Sequence, residues 1–141
     1  MSKLIVHTDG GARGNPGPAA VGALITTEGG EVLMRLSRKI GQTTNNVAEY
    51  SAVIAALDWI KANDSALRRF NIEMIQFYLD STLVVNQLNG LFRVKDPNLR
   101  NLMVQVRQLE QEIGGNVIYT VIPREKNQEA DILVNKALDG K

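Results

Sequence analysis

Four acidic residues stand where they could do chemistry. Asp9 follows the apolar run Leu4-Ile5-Val6 and opens onto a loop of glycine and proline, GGARGNPGP; Asp80 closes a second apolar run, Met74 to Leu79. Glu49 lies about one turn inside the helix-patterned stretch TTNNVAEYSAVIAAL, and Asp131, within PREKNQEADILVNKAL, early in the last helix pattern, each against apolar neighbours rather than on a charged face. Singly, such acids are commonly turn formers or partners of a helix dipole. Together they ask for more, because none has an obvious basic partner. In open α/β sheets ligands gather outside the carboxyl ends of the strands, and Asp9 and Asp80 each occupy such an end. Carboxylates converging without cations repel one another and take up protons. A divalent cation removes that conflict, and an oxygen-only donor set suits Mg²⁺ or Mn²⁺ rather than zinc.

The glycine loop invites a phosphate-cradle reading, which its context does not support. Gly10 to Gly17 is not followed by Lys-Ser/Thr, contains no G-x-G-x-x-G, and carries Pro16, which donates no N–H. A strand pattern follows it, where both phosphate motifs require a helix. Two readings of the loop remain: a tight turn in which glycine supplies positive φ, or a stretch stripped of side chains so that a bulky ligand backbone can approach Asp9.

These residues need a scaffold, and the pattern supplies one. Residues 3 to 9, 20 to 28 and 31 to 38 read as strands, the last two joined at Gly29-Gly30. Residues 44 to 62 read as a helix capped by Thr43 or Thr44, with Val47, Tyr50, Ile54, Leu57 and Ile60/Lys61 as its apolar stripe. A strand from Ile72 to Leu79 precedes a short helix from about Ser81 to Leu88, closed by Asn89-Gly90. Pro97 opens a further helix that Gly114-Gly115 stops; residues 117 to 122 form a last strand and Glu129 to Leu138 a last helix. The order predicts a mixed sheet with helices on its faces.

Composition fits one domain over residues 1–141: 44% hydrophobic, 22% charged and a net charge of +1, so any nucleic-acid binding must come from local patches. The absence of cysteine excludes disulfides, thiolate chemistry and a Cys-based zinc site, in keeping with the cytoplasm. No apolar run approaches the ~20 residues of a membrane span, and Met1-Ser2-Lys3 begins a strand pattern rather than a signal peptide.

The stretches TDGGARGNPGPAAVG, TTNNVAEYSAVIAAL, LDSTLVVNQLNG and PREKNQEAD resemble, in order, the motifs of ribonuclease H type 1, and the matching elements span nearly the whole chain. The resemblance implies an α/β fold: a five-stranded mixed sheet, the first three strands antiparallel hairpins and the first, fourth and fifth parallel, with helices on both faces. It implies an endonuclease that cuts the RNA strand of an RNA/DNA hybrid, leaving 5′-phosphate and 3′-hydroxyl ends, in a monomer with no separate hybrid-binding domain. Asp9, Glu49, Asp80 and Asp131 fall on the family's four metal-binding acids. They would hold two Mg²⁺ ions, with Mn²⁺ as substitute, ~3.5–4 Å apart across the scissile phosphate. Asp9 and Asp131 would serve the ion that activates water; Asp9, Glu49 and Asp80 would serve the one at the leaving 3′ oxygen. Gly11, Arg13, Gly14, Asn15 and Asn45 match positions that read the RNA minor groove and its 2′-hydroxyls. Thr44 and Asn46 match a pocket for a DNA-strand phosphate, and Thr82 is a further expected substrate contact.

Two departures matter. The family often places a histidine in the loop before the last acid; here Arg124 stands there, as in a prokaryotic subgroup, and is expected to touch the scissile or adjacent phosphate. That likeness makes double-stranded RNA a second candidate substrate. The sole histidine, His7, is expected to pack within its strand, and the sole tryptophan, Trp59, in the core. Between Asn89 and Pro97 the chain is too short for the Lys- and Trp-rich insertion of some members, leaving Arg93, Lys95 and Arg100 as a small basic patch. Two alternatives are a catalytically silent hybrid-binding module and another nuclease of this fold that acts on DNA.

Overall fold

In the computed structural model, which describes residues 2–114 and 116–140, the chain forms β1 (Ser2–Ala12), β2 (Gly17–Thr27), β3 (Val32–Thr43), α1 (Asn45–Ala62), the short α2 (Asp64–Leu67), β4 (Ile72–Leu79), α3 (Thr82–Leu88), α4 (Pro97–Ile113), β5 (Asn116–Val121) and α5 (Gln128–Leu138). Single 3-10 turns occupy Arg68–Phe70 and Arg124–Lys126. Met1 and Gly115, which the sequence reading included, lie outside the described residues. The sheet order is β3-β2-β1-β4-β5, antiparallel from β1 to β3 and parallel from β1 through β4 to β5, the expected five-stranded mixed sheet.

Strand β1 is central, with Leu4, Val6 and Thr8 buried on one face and Ile5 and His7 half-buried on the other. Leu4 and Val6 join Ile25, Phe77 and Leu79 beneath Tyr50, Val53 and Leu57 of α1 and Val106 of α4, forming the main core. The opposite face carries α5, whose Val134 and Ala137 close on Ala20. A Cβ at Gly22 would lie 2.4 Å from the Ala130 carbonyl oxygen, so α5 seats on β2 only because that position has no side chain. The caps follow the sequence: Thr44 Oγ1 accepts from the Val47 N–H, Ser81 Oγ from that of Val84, and Asp96 Oδ1 from those of Asn98 and Leu99. Gly114 ends α4 in the left-handed region at φ 72°. No helix among the described residues is long and apolar enough to cross a membrane.

Three expectations need correction. Strand β1 runs three residues past Asp9, because Gly10 to Ala12 keep pairing with β2 after parallel pairing with β4 stops at His7 and Tyr78. Along α1, Tyr50, Leu57 and Ile60 are buried as expected, but Val47 and Ile54 are only partly buried and Lys61 is exposed; Ala48, Glu49, Ala52, Val53 and Ala56 complete the covered face. Helix α2 and the 3-10 turn after it were not anticipated, since between 63 and 71 only Leu67 is buried and no apolar period develops.

Candidate functional site

The site opens where the sheet divides. Strand β4 ends at Leu79 while β1 continues with β2, so the carboxyl end of β4 faces a gap beside β1. Asp9 on β1 and Asp80 just past β4 flank that gap, and α1 leans over it with Glu49. One carboxylate oxygen from each of Asp9, Glu49 and Asp80 lies within 4.8 Å of the others. Asp131, in the first turn of α5, enters the same cleft of about 450 Å³. It is close enough to Asp9 to act on its charge, although it stands outside the tight group of three.

Two of the acids sit deep in the cleft and two are half-buried: Asp9 is 9% exposed and Glu49 6%. Burial is the main reason the Asp9 carboxyl is pushed up to about 6, with Asp80 and Asp131 adding repulsion. Burial also drives Glu49 well above the ordinary value, helped by its contact with Asp9 and opposed by the Gly10 N–H. That N–H donates to Glu49 Oε1 at 2.8 Å, while Glu49 Oε2 is buried with no hydrogen-bond partner. No Lys or Arg forms an ion pair with any of the four acids among the described residues. An oxygen-only set with an unpartnered buried carboxylate oxygen, and no cation of its own, fits Mg²⁺ or Mn²⁺.

The remaining expected residues divide. Gly11, Arg13, Asn45, Asn46 and Arg124 line the cleft with the acids. Asn15 stands one hydrogen bond away: its Oδ1 accepts from the Asn45 N–H at 3.0 Å, and Asn45 Oδ1 accepts from the Ala12 N–H at 2.8 Å. The β1–β2 loop is thereby pinned to the start of α1. Gly14 holds φ 100° in that turn, Thr44 caps α1 and Thr82 begins α3; none of the three lines the cleft. Arg13 is bound by Asp139 at 2.7 Å and by Asn135 Oδ1 at 3.3 Å, which the sequence did not suggest. Gly10 lines the cleft too, but what demands glycine there is packing, because α1 backbone occupies the space where its side chain would go. His7 packs against the Tyr78 ring at 5.2 Å, as expected, and burial lowers its imidazole below the usual range despite the pull of Glu129.

Sequence reading missed Ser81 and Asn135 in the lining, and Asn127 behind Asp80. The cap motif DST pointed to Ser81. Nothing local marked Asn127, whose side chain reaches Thr8 across the fold.

A pH effect follows from the raised Asp9 carboxyl. An acid raised on folding contributes stability that is complete below its ordinary value of 3.8 and is lost as pH climbs through about 6. A divalent ion that binds only the folded state reverses that loss. Mg²⁺ should therefore raise the melting temperature more at pH 8 than at pH 5, where protons compete for the same oxygens. Thermal melts with Mg²⁺ or EDTA at both pH values check this; equal shifts at the two would contradict it.

Comparison with known proteins gives consistent neighbours. The profile of the family described as Reverse transcriptase-like matches residues 7–137. A bifunctional protein of Mycobacterium tuberculosis is 40% identical over 97% of this chain and 36% of its own length. The chain thus spans little more than a third of the mycobacterial relatives it matches. Ribonuclease HI of Halobacterium salinarum is 42% identical over 97% of this chain and 65% of its own length. LC11-RNase H1, isolated from compost by a metagenomic approach, superimposes with a TM-score of 0.91 at 45% identity, covering 99% of this chain and 98% of that one. Its structure in complex with an RNA/DNA hybrid gives a TM-score of 0.89 at 42% identity over 97% of each chain.

Proposed function

The chain belongs to the reverse transcriptase-like family and, within it, to the type 1 ribonucleases H, and from that membership we propose that it hydrolyses the RNA strand of RNA/DNA hybrids. One observation carries the reading: three carboxylates with oxygens within 4.8 Å of one another, in an open cleft rimmed by amides and guanidinium groups. Asp9 with Asp131 would hold one divalent ion and Asp9 with Glu49 and Asp80 the other. When bound, the ions supply Lewis-acid activation of the attacking water and of the leaving oxygen. Hydrolysis adds water across the P–O3′ bond and leaves 5′-phosphate and 3′-hydroxyl ends.

The chain's own groups then orient the strands. Asn15 and Asn45 commit their side-chain oxygens to backbone N–H groups, so each presents its NH₂ as a donor to a 2′-hydroxyl, the group that separates RNA from DNA. Thr44 accepts from Val47 and keeps its O–H to donate. With Asn46 at the start of α1 it suits a DNA-strand phosphate, which the helix N-terminus favours. Arg13 is held by an exposed ion pair, worth only ~0–1 kcal/mol, and can exchange Asp139 for a phosphate. Arg124, exposed and lining the same cleft as the acids, suits the scissile or adjacent phosphate.

Arg124→Ala should lower kcat by ~10–100-fold, the scale of one charge-assisted contact at ~1.5–3 kcal/mol, with melting unchanged because the side chain is exposed. An unchanged rate would remove Arg124 from the mechanism. The reading itself is tested by offering one end-labelled RNA strand alone, paired with DNA or paired with RNA, beside a labelled DNA duplex. Internal cuts in the hybrid's RNA support it. Comparable cuts in the RNA duplex would add a second substrate, which the Arg124 subgroup likeness favours. Cuts in DNA, or tight hybrid binding with no cuts, would replace the reading.

A further inference from the structure

We propose that Asn127 is a positioning residue that fixes the Asp80 carboxylate within the acidic cluster, an inference that rests on the ribonuclease reading above. Asn127 is 1% exposed and precedes α5. Its Nδ2 donates to the Thr8 carbonyl oxygen at 2.9 Å and to Asp80 Oδ2 at 3.1 Å. Both partners are acceptors, so the side-chain orientation is set by chemistry: only the NH₂ end can face them. Its backbone closes the same network. The Asn127 N–H donates to the Arg124 carbonyl at 3.0 Å, and its own carbonyl accepts from the Asp131 N–H at 3.2 Å. One residue thus ties the strand segment bearing Asp9, the end of β4 bearing Asp80, the turn bearing Arg124 and the helix bearing Asp131.

No common substitute does this. Serine offers one proton where two are used, aspartate offers none when ionised, and glutamine is a methylene longer. Asn127 Oδ1 is also buried with no hydrogen-bond partner, a cost that a residue kept only for packing would not need to carry. The other buried side-chain atoms in that condition among the described residues are on His7, Thr8 and Glu49, so they gather around β1 and the acidic cluster. Among the described residues Asp80 makes no other side-chain hydrogen bond and no ion pair, so its orientation depends on this contact. Groups that orient a ligating carboxylate typically change metal affinity or activity 10–100-fold when removed.

The test is Mn²⁺ titration by calorimetry on the whole chain without substrate, alongside hybrid cleavage. Asn127→Ala should bind Mn²⁺ about 10–100-fold more weakly. Its kcat should fall comparably, recover at high Mn²⁺, and leave KM for the hybrid unchanged. Asn127→Asp should be worse, because it sets a carboxylate against Asp80 Oδ2 and the Thr8 carbonyl. Asn127→Ser, which keeps one donor, should fall between wild type and Asn127→Ala, and it carries the test if the alanine variant does not fold. Tyr119→Phe removes a partly buried hydrogen bond to Glu110 outside the cleft; it should lower the melting temperature and leave Mn²⁺ affinity alone, calibrating plain instability. If wild type binds Mn²⁺ and cuts hybrid while the Asn127 variants bind equally well, the inference falls and the ribonuclease reading stands. If wild type neither binds Mn²⁺ nor cuts hybrid, both fall.

Discussion

Asp9→Asn should abolish metal-dependent cutting while leaving a protein that, in EDTA, melts above wild type. Asp9 is the one acid assigned to both ions, so its loss removes Lewis-acid stabilisation worth several kcal/mol, or on the order of 10³-fold in rate at about 1.36 kcal/mol per tenfold. The gain in stability has a separate cause. Without metal, Asp9 is buried against Glu49, Asp80 and Asp131, and its ionised form is disfavoured up to a pH of about 6. A neutral amide of the same shape relieves that repulsion, so the gain should be larger at pH 8 than at pH 5. Activity and stability therefore move in opposite directions from one substitution, the expected sign for a site that stores strain for function. Cleavage rates and thermal melts in EDTA at both pH values measure the two arms; a variant that melts below wild type at pH 8 would contradict the electrostatic account.

Gly10→Ala should be the most damaging small substitution for the fold. A Cβ there would lie 2.2 Å from the Ala48 carbonyl carbon and oxygen and 2.5 Å from the Glu49 nitrogen. These are backbone atoms of α1, which cannot swing aside as a flexible side chain can. Overpacking into such a contact costs ~3 kcal/mol or more, a large share of the ~5–15 kcal/mol that holds a domain together. The melting temperature should drop by roughly 10 °C. Activity should fall further than the folded fraction, because pushing α1 away breaks the Gly10 N–H contact to Glu49 Oε1. Gly29→Ala is the control: its Cβ would meet nothing nearer than Thr27 Oγ1 at 3.9 Å, and its melting should match wild type. A Gly10→Ala protein that melts with wild type would show that β1 and α1 do not depend on this approach.

These two glycines mark how far the sequence could be read. Apolar runs and periods exposed the strands and helices, and the acids stood out because each interrupts an apolar stretch at a strand end or near a helix start. What stayed hidden depends on register. The extension of β1 beyond Asp9 is decided by pairing with β2, in which Ala12 meets Ala19, and this sets the depth of the carboxylate. The glycines beside Asp9 looked like room for a ligand; at Gly10 the room is taken by α1, a neighbour 39 residues along the chain. Asn127 was illegible for the same reason, since its partner Thr8 is 119 residues away. Arg13 was expected to face substrate, and its bond to Asp139 depends on where α5 ends.

The most direct test of the whole account is a single hybrid with differently labelled RNA and DNA strands, incubated with the protein in Mg²⁺ or in EDTA. The account predicts internal cuts in the RNA strand alone, ending in 3′-hydroxyl groups, present in Mg²⁺ and absent in EDTA. Cuts in the DNA strand, or RNA cuts that persist in EDTA, would contradict it.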